Sequence, residues 1–99
     1  MPDDAKRAAQ RALVDRILTG PGCTAVDLRS RAFAGAGLQP SVKPLLDKVV
    51  TDPTQITDDD FAATGLADDQ LFELVVCAAV GRSTRMYESA LAALDEADT

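Results

Sequence analysis

Apolar positions recur along most of this chain at three- and four-residue spacing, the period of helices that bury one side. In AKRAAQRALVDRIL, Ala9, Leu13 and Ile17 fall at four-residue steps, and Val14 and Leu18 widen the stripe. This predicts a first helix over residues 4–18, with Asp3 and Asp4 at the positive end of its dipole and Gly20-Pro21 as its stop. Thr24, followed by Asp27 three residues on, predicts a capped start for a second, weakly amphipathic helix, AVDLRSRAFA, that ends at Gly35 and Gly37. Ser41 is the expected cap of a third, with Pro44 in its first turn and Val42, Leu45, Leu46, Val49 and Val50 on one face. Asp52-Pro53 closes it. Thr57 and Asp60 form the same cap pattern before a short helix, TDDDFAA, which Gly65 ends.

The last helix starts near Asp68 and contains LVVCAAVG, residues 74–81, a run without one polar side chain. Such a run must be covered on every side. Gly81 marks either a kink or a close helix contact, since glycine costs about 1 kcal/mol against alanine inside a helix. Beyond it, Tyr87, Ala90, Leu91 and Leu94 share a face. No stretch alternates with period two, so the expected fold is all-α: a compact bundle of about five helices around a long C-terminal one.

Composition sharpens this reading. At 99 residues the chain is one helical domain, residues 1–99, and alanine and leucine, the best helix formers, dominate it. The net charge is −6 and no basic cluster is interleaved with aromatics, which argues against a nucleic-acid partner. Charge is uneven: residues 1–56 carry eight Lys/Arg against six Asp/Glu, and residues 57–99 two against ten. Solvated faces explain this most simply, and attraction within one chain or between copies is the other reading. The run 74–81 is too short to cross a bilayer, and the two cysteines, Cys23 and Cys77, lie 54 residues apart without ligand-like neighbours. Reduced thiols, no membrane and a cytoplasmic location are the expectations.

The chain has no histidine, so Ser-His and Cys-His nucleophiles and histidine-bound zinc are excluded. No glycine-rich phosphate loop precedes a helix, and nothing calls for a cofactor or a metal. Cys77, inside the apolar run, reads as a small buried hydrophobe. Glu73, one turn earlier on the same face, would raise its thiol pKa and make it a poor nucleophile. Cys23 follows a Pro-Gly turn and should be exposed. The runs 58–60 and 68–69 read as helix-start acids. Arg85 and Glu88, and Thr84 and Glu88, are spaced to pair along the helix surface. The functional alternative is that Glu73, Arg85 and Tyr87 flank a partner or a pocket.

From Thr57 onward, ITDDDFAATGLADDQLFELVVCAAVGRSTRMYESALAAL resembles the carboxymuconolactone decarboxylase and alkylhydroperoxidase D-like group. The shared elements are a T-D-x-D helix start, a Gly-hydrophobic turn, an acid-rich cap, and Leu-Phe-Glu-Leu opening a long alanine-rich helix. An arginine and a small-Leu pattern follow. The resemblance implies an alkylhydroperoxidase D-like, all-helical subunit that packs with copies of itself. It does not bring the activity: the family's peroxidases use a Cys-x-x-Cys followed by a histidine, with a glutamate in a proton relay, and this chain has neither the pair nor a histidine. Glu73 resembles a glutamate at the start of the family's long helix. The expected function is thus that of a non-catalytic, self-associating helical protein, a subunit for protein interaction. Its partner would be a copy of itself, most simply in a two-fold dimer around the last helix. The alternative is a small-ligand-binding protein or enzyme whose pocket lies between subunits at Glu73, Arg85 and Tyr87.

Overall fold

The computed structural model describes residues 2–97, with the side chains of residues 2–4 outside the described part, and with them the expectation for Asp3 and Asp4. The order is α1 (Pro2–Thr19), α2 (Val26–Ala34), α3 (Lys43–Thr51), a 3₁₀ turn (Pro53–Gln55), α4 (Asp58–Ala63) and α5 (Asp68–Ala97). Among the described residues there is no strand, so the all-α expectation is met.

The helix boundaries follow local chemistry where the cap is local. Thr57 accepts from the Asp60 amide while Asp60 Oδ2 accepts from the Thr57 amide at 2.9 Å, a complete capping box. The same carboxylate takes Lys48 Nζ at 2.8 Å, which ties α4 to α3 and holds Asp60 below the ordinary aspartate pKa of 3.8. Gly35, at φ 69°, ends α2 in the left-handed region, where its amide reaches the carbonyls of Arg31 and Ala32.

Two expected caps do not form. Thr24 does not cap α2: the helix starts at Val26 behind Ala25, with no side-chain cap bond. The Thr24 amide is held by Glu73 of α5 at 3.1 Å, its hydroxyl is buried without a partner, and Asp27 pairs with Arg31 at 3.0 Å instead. Ser41 does not cap α3 either. Val42 occupies that position because its side chain is pulled into the core, and the amides of Val42 and Lys43 turn onto the Gln39 carbonyl.

The core lies between α2, α3 and the first half of α5, where Ala32, Val42, Leu46, Leu74, Cys77 and Ala78 pack together. Leu74 is 0% exposed, and full burial of one such side chain is worth roughly 1.5–3 kcal/mol. α5 runs unbroken through Gly81, which settles that residue as a close contact: a β-carbon there would lie 2.7 Å from the carbonyl carbon of Phe33 and 2.9 Å from its Cα. α2 crosses α5 at this point with no side chain between the backbones.

The run 74–81 is not covered on every side. Leu74, Cys77, Ala78 and Gly81 are buried, Val75, Val76 and Val80 only partly, and Ala79 is exposed. The other helices lie to one side of α5, so its opposite face has no cover among the described residues. Nor is the molecule compact. Its radius of gyration is 15.2 Å, against about 13 Å for a globular chain of this length. The excess comes from the ends of α1 and α5, which lie side by side beyond the core. Tyr87, Ala90 and Leu94 of α5, placed on an apolar stripe by the sequence, are exposed there, and Leu13 of α1 is exposed nearer the start of α5.

Candidate functional site

Glu73, Arg85 and Tyr87 line three separate clefts along α5. Two of them hold up neighbouring backbone. Both Glu73 oxygens accept from the Cys23 amide, at 2.8 and 2.7 Å, and one also from Thr24, so the carboxylate ties the loop before α2 to α5. It takes the place of an N-terminal cap, since a carboxylate on loop amides at a helix start is favoured by hydrogen bonding and by the dipole. A β-carbon at Gly22 would meet Glu73 Oε1, so a larger residue there would have to displace the end of this side chain.

Arg85 donates to the Phe33 carbonyl at 2.6 Å and neutralises the negative end of α2. The surface pairs expected with Glu88 therefore do not form: Arg85 is spent on α2, and Thr84 accepts from Gln10 Nε2 of α1 at 2.9 Å. Tyr87 is exposed beside Arg7, Arg11, Glu88 and Asp95 in the shallow groove between α1 and the far end of α5.

A cleft of about 560 Å³ opens between the C-terminal end of α1 and the start of α5. Leu13, Ile17, Phe72 and Val76 form its walls, with Arg16, Arg29, Glu73 and Cys77 as its polar or ionisable groups. Arg29 was not singled out by the sequence. Its Nη1 donates to the carbonyls of Ile17 at 3.2 Å and Gly20 at 2.8 Å, capping the end of α1, while its Nε is buried without a hydrogen-bond partner. The available signal was a cation three residues before Ala32 on the side of α2 that the core covers.

Burial pushes the Cys77 thiol above its ordinary pKa; Arg29 opposes this and Glu73 adds to it. A protonated, enclosed thiol is a poor nucleophile. Cys77 is accordingly expected to react with a thiol reagent at least about a hundredfold more slowly in the native protein than in denaturant. Cys23, which is exposed, should label at once. Equal rates for Cys77 in both states would mean that the first half of α5 is not buried.

Among the described residues no group of three or more His, Cys, Asp or Glu side chains is placed to hold a metal ion, and no helix is long and apolar enough to cross a membrane. The chain matches no protein-family model, no curated protein and no solved structure. What it does must be argued from its own surfaces.

The outward face of α5 is one of them. Phe72, Val76, Ala79, Ser83, Met86, Ala90, Ala93 and Ala97 are spaced alternately four and three residues apart and carry no charge. All but Val76 are exposed, Phe72 by 70% and Met86 by 59%. This is the spacing of the seam between two paired helices. It runs for roughly 40 Å at 1.5 Å per residue.

Proposed function

We propose that this chain is a non-catalytic, self-associating helical subunit in which α5 pairs with α5 of a second copy. The uncharged, seam-spaced face of α5 carries this reading. Area supports it: the chain exposes 6618 Å², whereas a compact monomer of 10.4 kDa exposes about 5,400 Å². The excess exceeds the approximately 800 Å² that each partner buries in a stable interface.

The seam is complementary to itself in an antiparallel sense. A two-fold crossing centred between Thr84 and Arg85 sets Phe72 against Ala97 of the second copy, Val76 against Ala93, Ala79 against Ala90 and Ser83 against Met86. Large residues then oppose small ones at both ends and near the centre, and the alanines let the backbones approach. Two-fold pairs are also the commonest assembly. The proposal takes the carboxymuconolactone decarboxylase and alkylhydroperoxidase D-like resemblance as its scaffold. Its support there is the order of a short capped helix, a tight turn at Gly65 and a long helix.

Light scattering behind size-exclusion chromatography at micromolar concentration tests the proposal. The expected mass is twice 10.4 kDa, and a clean peak at 10.4 kDa would sink it. For the non-catalytic part, we expect no turnover above background when the protein is given an alkyl hydroperoxide and a dithiol reductant. Turnover that vanishes in Cys77→Ser would contradict it.

A further inference from the structure

We infer that the cleft between α1 and α5 binds an amphipathic carboxylate, a single apolar chain with an anionic head. Its volume of about 560 Å³ lies within the range of small-molecule sites. Its charges are unbalanced. Arg16 and Arg29 face one carboxylate, Glu73, and both oxygens of that carboxylate are already taken by the loop amides of Cys23 and Thr24.

Arg29 is only 6% exposed, no carboxylate among the described residues bonds to it, and its Nε has no partner. The guanidinium is held here by two carbonyls at the negative end of α1, with Glu73 in the same cleft, and part of its hydrogen-bonding capacity stays unused. A carboxylate entering the cleft would add counter-charge with planar geometry suited to guanidinium. Arg16, exposed on α1 at the same cleft, would be its second donor.

Beside these cations the walls are apolar. Ile17 and Val76 are partly buried, and Leu13 and Phe72 stand exposed on the two lips. An alkyl chain laid between them would cover surface that the monomer leaves in water, the usual source of affinity for such a ligand. A cationic amphiphile would meet two guanidinium groups and is rejected; a neutral one gains only the apolar part. The cleft is built from one chain. Phe72 and Val76 also belong to the α5 seam, so a second copy would add an outer wall without completing the site.

The test is calorimetric titration with decanoate, kept below its micelle concentration, with decan-1-ol and decyltrimethylammonium as comparison probes. Decanoate is expected to bind one per chain and at least about tenfold more tightly than either, the effect of one charge-assisted hydrogen-bonded pair. Arg16→Gln, on the surface of α1, should weaken decanoate about tenfold while leaving decan-1-ol unchanged. Val76→Trp, which fills the cleft, should abolish binding of both, with circular dichroism confirming that the helices persist. If it unfolds the protein, Leu13→Trp from the opposite lip takes its place. Ala90→Arg, at the far end of the seam, should bind decanoate as the parent does even if it is monomeric, which separates this inference from self-association. No decanoate binding, equal binding of the cationic probe, or binding untouched by both Arg16→Gln and the filled cleft would overturn it.

Discussion

Gly81→Ala is expected to destabilise the protein by about 3 kcal/mol, the upper part of the range for overpacking, although alanine is the better helix former by about 1 kcal/mol. The two effects oppose each other, and geometry decides between them. A β-carbon at 81 would sit on the Phe33 carbonyl group, 2.7 Å from its carbon and 2.9 Å from the Phe33 Cα. The obstacle is backbone, so no rotamer change relieves it, and α2 must move away from α5. That movement would also pull the Phe33 carbonyl from Arg85 and loosen the packing of Ala32 on Cys77 and Ala78. Urea denaturation followed by circular dichroism measures the change. A stability gain of about 1 kcal/mol, the bare propensity difference, would show that α2 does not cross α5 at this residue.

Ala79→Arg is expected to split the dimer while leaving each chain folded. Ala79 is exposed in the single chain, so an arginine there reaches water and costs the monomer little. In the proposed pair the same arginine would enter a dry seam opposite Ala90 of the second copy. An unpaired charge in such a place costs several kcal/mol, which raises the dissociation constant by a hundredfold or more. Light scattering should then give 10.4 kDa with an unchanged helical spectrum. The antiparallel register adds a sharper expectation. Ala90→Glu in the same chain as Ala79→Arg sets opposite charges together at both symmetry-related positions and should restore much of the pairing. In a parallel pair residue 79 faces itself, so the second substitution would not rescue the first. Rescue or its absence therefore fixes the direction of the helices.

The sequence by itself determined the elements. Gly20-Pro21, Gly35, Asp52-Pro53 and Gly65 end helices where their backbone chemistry requires, and Thr57 with Asp60 caps α4, because such signals act within a few residues. It also determined what chemistry is missing, since a chain without histidine cannot acquire one by folding. Tertiary structure decided everything that depended on groups distant in sequence. Thr24 lost its capping role because Glu73, 49 residues away, holds its amide. Arg85 turned from Glu88 to a carbonyl 52 residues earlier, and Arg29 became a buried cap at the end of α1. The run 74–81 predicted cover on all sides, but periodicity reports only which residues avoid water. Which neighbours supply the cover depends on how the other helices pack, and here they all pack to one side. The seam from Phe72 to Ala97 was present in the spacing throughout. It could be recognised as a surface only once the fold had placed α2 and α3 against the other face of α5, because alanine, valine and methionine at helical spacing look alike in a core and at an interface.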